Sequence, residues 1–203
     1  MAAVSETIVR EYFELHGFLV RQPRKYAAPT KGEDEEFDFF VANPRPQPAD
    51  SLLPAILTSA DLSRITRAVV FVKGWHTETF SPAMLAQSPD MFRFVDAEIA
   101  KQTARFFGDE RAVTRILVVP ALPQNAEARE QSLEILRGKG IDTVIPFRTL
   151  LADLVAETEA NRNYQKSDVL QVIRLLKNYD FLKGPQLELF KSPRNRARKG
   201  SSV

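Results

Sequence analysis

The chain of 203 residues contains no cysteine. That excludes a disulfide framework, a thiolate zinc site and a cysteine nucleophile. Its two histidines, His16 and His76, do not fall in an H-x-x-E-H-like pattern, so a histidine zinc site has no sequence support. There is no internal repeat and no glycine-rich loop of the kind that cradles phosphates. No apolar run approaches the ~18 residues of a membrane span. The opening stretch, MAAVSETIVREYFELHG, is charged and amphipathic, unlike a secretory signal. The expectation is a cytoplasmic protein without a membrane partner.

What is present is ordinary in bulk and uneven in charge. A hydrophobic fraction of 44% with 27% charged residues is that of a globular protein, and the length suits one domain with a small appendage. Residues 161–203 hold ten basic and three acidic side chains, a net +7, which leaves −5 in residues 1–160. A basic end on an acidic body fits a polyanion partner, and equally a solvated helix face followed by a solubilising tail.

The organising stretch is residues 68–75, AVVFVKGW. Its β-branched and aromatic residues read as a strand over 68–73. Alternation puts Val69, Phe71 and Lys73 on one face and Ala68, Val70 and Val72 on the other. A lysine that ends a buried strand either snorkels to the surface or reaches into a site. Upstream, Val4, Ile8, Tyr12 and Leu15 recur at helical spacing, with Val9, Phe13 and His16 beside them and Gly17 as terminator. A strand is predicted over 18–26, with Pro23 marking an edge or a bulge. An acidic turn follows and then a second strand over 36–41, EFDFFV. Asp38 is enclosed there by aromatics. A carboxylate so placed needs a partner or a cation, unless the strand is an edge and Asp38 faces water.

The proline-rich 43–50 is read as an extended connection, and 52–64 as short helical turns with Asp61 as a cap. Ser88 and Pro89 signal the start of a helix that Gly108 closes. Glu98 and Gln102 interrupt its apolar stripe of Phe92, Val95, Ile99 and Phe106. They lie at the edge of the stripe or point into a site that the helix flanks. Further strands are expected at 114–119 and 141–147, and helices at 125–137, 149–159 and 167–179. The order predicts an α/β fold with a mixed central sheet and helices on both faces. Residues 1–160 form the core, 161–190 a helical extension, and 191–203 a basic, disordered tail.

This pattern resembles the restriction-endonuclease-like, or PD-(D/E)xK, nuclease superfamily. That family has an N-terminal helix, a meander with an aspartate on its second strand and E-x-K on its third, then a helix and a parallel strand. Asp38 of EFDFFV stands in the aspartate position and Lys73 of FVK in the lysine position. The resemblance implies a phosphodiester hydrolase with Mg2+ or Mn2+ held by two carboxylates, and a lysine that positions the nucleophile. The chain departs from the pattern at Phe71, which occupies the second acidic position. Some relatives recruit a carboxylate from another element. Glu98 is the first candidate, with Glu11, Glu14 and Glu78 behind it. Gln102 followed by Phe106 is similar to the Q-x-x-x-Y/F feature of the exonuclease branch.

The implied site is therefore Asp38, Lys73, Glu98 and Gln102, with Asp38 and Glu98 as metal ligands. Arg174, Lys177, Lys191, Arg194, Arg196, Arg198 and Lys199 would bind nucleic acid, with DNA favoured. Three classes stay open: an active nuclease with a displaced carboxylate, an inactive nucleic-acid-binding relative, and a protein-interaction scaffold. Glu98 has its own bland alternative, an exposed residue paired with Lys101 or Arg105. Oligomeric state is open, a homodimer included.

Overall fold

The structure is a computed structural model that describes residues 2–23, 38–47, 52–74, 76–87, 97–109 and 113–182. The acidic run at 32–36, the predicted cap Ser88, Trp75 and the tail at 191–203 lie outside the described residues. Five strands form one sheet in the order β1 (Leu19–Arg21), β2 (Phe39–Ala42), β3 (Arg67–Val72), β4 (Thr114–Val119) and β5 (Thr143–Pro146). The first three make an antiparallel meander. β4 then pairs parallel to β3, and β5 parallel to β4. The strands expected at 36–41 and 68–73 are thus neighbours, with Phe39 opposite Val70 and Phe40 opposite Val69.

Alternation along the strands splits the core in two. Phe39, Val41, Ala68, Val70, Ile116, Val118 and Ile145 face α1 (Ala2–Leu15), α5 (Phe147–Glu157) and α6 (Asp168–Asn178). Phe40, Val69, Phe71, Leu117, Val119 and Val144 face α2 (Pro82–Gln87), α3 (Ala97–Phe107) and α4 (Ala126–Gly138). The result is a sheet with a helical layer on each side, as a strand pattern apolar on both faces requires. Leu170 and Ile173 of α6 belong to the first cluster, so this helix packs on the body through that face.

The caps follow the sequence signals. Asn125 Oδ1 accepts the N–H of Ala128 at 3.0 Å, and Ser167 Oγ that of Leu170 at 3.2 Å. Asp61 and Thr58 make a reciprocal capping box on the 3-10 helix Ser59–Arg64.

Several expectations are corrected. On α1 the buried line is Ser5, Val9, Tyr12 and Phe13, whereas Val4 is exposed. Val9, Tyr12 and Phe13 take core positions with Ile8 and Leu15 packed beside them, and Ser5, within 2.9 Å of His76 Nε2, is buried at the helix start in place of Val4. Apolar Leu151 and Val172 are exposed, since a helix on one side of a sheet buries only a narrow stripe. After Lys73 the chain also forms α2, a helix not among those expected from the sequence, which buries Leu85. Among the described residues, no helix is long and apolar enough to cross a membrane.

Candidate active site

β3 is the middle strand and ends at the site. The N–H of Lys73 donates to the Val118 carbonyl at 3.0 Å, so the parallel ladder extends one residue past the strand. The lysine side chain leaves from a half-buried position. Burial pushes its pKa below the usual lysine range, and the negative charge of Asp38 pulls the other way. The register places Asp38 one residue before β2 and Lys73 one residue after β3 at the same end of the paired strands, near enough for the carboxylate's charge to be felt at the ammonium.

Asp38 stands one residue before β2. Its N–H donates to the Val70 carbonyl at 3.0 Å, and its Oδ2 accepts the N–H of Val72 at 2.6 Å. The carboxylate thus occupies the acceptor position that a longer β2 would fill with a backbone carbonyl. A strand N–H away from water is costly to leave unpaired, and a charge-assisted bond also fixes the carboxylate's orientation. A similar device joins β4 and β5, where Asp142 N–H donates to the Arg115 carbonyl and Asp142 Oδ2 accepts the Arg115 N–H at 2.7 Å. Capping a strand edge with aspartate is therefore not in itself a sign of chemistry. What distinguishes Asp38 is the lysine beside it.

Phe71, in the second acidic position, is 1% exposed and packs in the second core cluster. For Glu98 and Gln102 the backbone of α3 is described and the side chains are not. The last turn of α3 is well anchored. Phe106 stacks on Phe40 with ring centroids 4.2 Å apart, Phe107 meets Phe40 edge-on, and Arg67 lies over Phe107 while pairing with Asp109 at 2.6 Å. Gln102 and Glu98 precede Phe106 by one and two turns, about 6 and 12 Å along the axis. Asp38 precedes Phe40 by two residues, about 7 Å along the strand. The chain enters α3 after the end of β3 and leaves it to begin β4. The earlier turns of α3 are thus carried toward the end of the sheet that holds Asp38 and Lys73.

The other candidate carboxylates have different surroundings. Glu14 pairs with Arg10 at 2.8 Å. Burial pushes the Glu11 carboxyl above its usual range, opposed by a hydrogen bond from Ser167, so it faces α6. Glu78 is exposed. Arg174 Nε donates to the Ala160 carbonyl at 3.0 Å and Lys177 Nζ to the Thr158 carbonyl at 2.6 Å. Both cations therefore close the turn after α5, where carbonyls lack intrahelical partners. Lys191, Arg194, Arg196, Arg198 and Lys199 lie outside the described residues.

Two features had no signal in the sequence. Three residues past Lys73, His76 Nε2 lies 2.9 Å from Ser5 Oγ, and its ring meets Phe147 edge-on at 4.5 Å. The loop leaving the site is thus tied to α1 and to the start of α5. The second is the Asp38 bond to a backbone N–H, which no side-chain motif encodes.

Among the described residues no three His, Asp or Glu come together as a metal-holding group. Mg2+ and Mn2+ take near-octahedral oxygen coordination. One described carboxylate, Asp38, does not make such a set, and the side chain of Glu98, the second ligand that the resemblance implies, is not described. The chain matches no protein-family model, no curated protein and no solved structure.

Proposed function

We propose that this chain is a divergent, restriction-endonuclease-like, metal-dependent nuclease acting on DNA or RNA phosphodiesters, with DNA the favoured partner. One observation carries the reading. Asp38 and Lys73 stand at the same end of two adjacent antiparallel strands, one residue before β2 and one after β3, and the Asp38 charge opposes the lowering of the Lys73 pKa by burial. They do so within the order helix, three-strand meander, helix, parallel strand.

The roles follow from the chemistry of the groups. Asp38, already oriented by the Val72 N–H, retains lone pairs on both oxygens for a cation. Glu98 supplies the second carboxylate. Mg2+ or Mn2+ between them would neutralise developing charge on the phosphate and acidify a bound water. Lys73, carried by a fixed strand end, donates to that water and positions it. Its lowered pKa brings it closer to the range where a lysine exchanges protons. Gln102 offers a neutral amide to the substrate.

Phe71 supports a second reading, a nuclease-fold protein that binds nucleic acid without cutting it. Its buried ring stands where the resemblance places a metal ligand.

The two readings separate in one experiment. DNA and RNA oligonucleotides are incubated with the wild type, Lys73→Met and Glu98→Gln, with Mg2+, Mn2+ or a chelator, and binding is followed across salt concentration. The nuclease reading expects divalent-dependent cleavage that both variants lose. Salt-sensitive binding without cleavage marks the second reading. Cleavage that survives Glu98→Gln removes Glu98 from the metal set.

A further inference from the structure

The far end of the sheet carries a second polar concavity. There α1 turns into β1, and β2 runs into the proline-rich connection. A cleft of about 360 Å³ opens between these segments and the 3-10 helix. The lining residues that carry polar groups are His16, Asn43, Arg45, Gln47, Ser59 and Ser63, and among the described residues no carboxylate lines the cleft. The nearby Asp61 is occupied, accepting from the N–H and hydroxyl of Thr58 and pairing with Arg64.

The walls are held by backbone bonds from three directions. Gln47 N–H donates to the Ser63 carbonyl at 2.7 Å, Asn43 N–H to Thr66 at 2.8 Å, and Phe18 N–H to Phe13 at 3.0 Å. Asn43 Oδ1 accepts the N–H of Arg45 at 2.9 Å, which leaves its NH2 as the group it can offer. The cleft therefore presents a guanidinium, two amides and two hydroxyls. Beside them His16 Nε2 is buried with no hydrogen-bond partner among the described residues.

We infer that this cleft binds the phosphate group of a small phosphomonoester. Arg45 meets the charge with its forked donors, and Asn43, Gln47, Ser59 and Ser63 surround the remaining oxygens. A carboxylate would use fewer of these donors, whereas a phosphate presents three terminal oxygens to all three segments. The volume leaves room for the attached group, being at the lower end of what small-molecule sites enclose. This inference does not rest on the nuclease reading. The phosphate would come from a free monoester or from the 5′ end of a nucleic-acid strand.

The test is a titration of the isotope-labelled full chain, followed by amide NMR. The probes are inorganic phosphate, a nucleoside 5′-monophosphate, the parent nucleoside and a 5′-phosphorylated oligonucleotide. The inference expects saturable shifts at Gly17, Asn43, Gln47 and Ser63 with each phosphate-bearing probe and none with the nucleoside. Tighter binding by the oligonucleotide than by the monophosphate assigns the strand end as the source, and the reverse order assigns a free ester. Arg45 is exposed, so Arg45→Ala leaves the fold in place, and it weakens binding about tenfold or more. Ser63→Ala weakens it less. The inference is overturned by equal binding of the nucleoside, by wild-type affinity in Arg45→Ala, or by no saturation in the millimolar range.

Discussion

Asp38 has two separable duties, and substitutions can divide them. Its carboxylate accepts the Val72 N–H, and its charge raises the Lys73 pKa against the lowering by burial. Asp38→Ala leaves that N–H without an acceptor and should cost about 1–3 kcal/mol, read from chemical denaturation. Asp38→Asn keeps a carbonyl oxygen for the bond and should cost less, while removing the charge that a cation needs. Equal losses for the two variants would mean that the bond to Val72 contributes little. Lys73 gives a prediction with a defined sign. Its folded pKa lies below its unfolded value near ~10.4, so between the two values the unfolded chain holds more protons. Stability contributed at this site therefore rises with pH across that window, because the cost of burying the charge is present in full below it and gone above it. Lys73→Met removes the cost. The variant should be at least as stable as wild type near neutrality, with the difference narrowing as the pH climbs toward the unfolded value. A difference that widens with pH would reverse the assignment.

At the scale of elements, the docking of α6 rests on a short list of contacts. Leu170 and Ile173 reach the core, and Ser167 caps the first turn. Ser167→Ala should destabilise the protein by about 1 kcal/mol, a loss that a thermal melt detects, and Asn125→Ala on α4 should behave alike. No loss at either site would mean that water replaces the cap without penalty. These elements were legible in the sequence because their signals are local. A serine or asparagine before an apolar run, and β-branched residues in alternation, mark an element wherever it sits. The central strand and β4 were found within a residue of their ends for this reason. The burial of Ser5 in place of Val4 was not legible, because Ser5 lies against His76, a partner distant in sequence that no periodicity encodes. α2 was missed for a different reason. Six residues are too few for a period to show, and Pro82 reads as a breaker until the preceding turn is known. The site was half legible. Asp38 and Lys73 stood out as charged residues within apolar strands, whereas their approach depends on antiparallel pairing between segments separated by a long connection. The cleft at the other end of the sheet draws on three segments, none of which carries a motif.

For the whole molecule, the sheet has two chemically different ends. One holds a lysine and a carboxylate brought together by strand register where the central strand ends, and the other a cleft lined by donors. The helical layers on both faces keep these ends in fixed relation to the sheet, since all five strands share one ladder. Arg174 and Lys177, two of the cations read as contacts for nucleic acid, serve the closure of the turn after α5. If nucleic acid is the partner, neutralising either should therefore disturb stability as well as binding. The central claim remains the chemistry at Asp38 and Lys73. It is tested most directly by the rate at which wild type and Asp38→Asn, both shown to be folded, cleave a labelled oligonucleotide in the presence of Mn2+. The account predicts cleavage by the wild type that a chelator abolishes, with a loss of about a hundredfold or more in Asp38→Asn, as expected when a group holding a catalytic metal is neutralised. A wild type that cuts no DNA or RNA, or an Asp38→Asn variant that cuts as fast as the wild type, would contradict it.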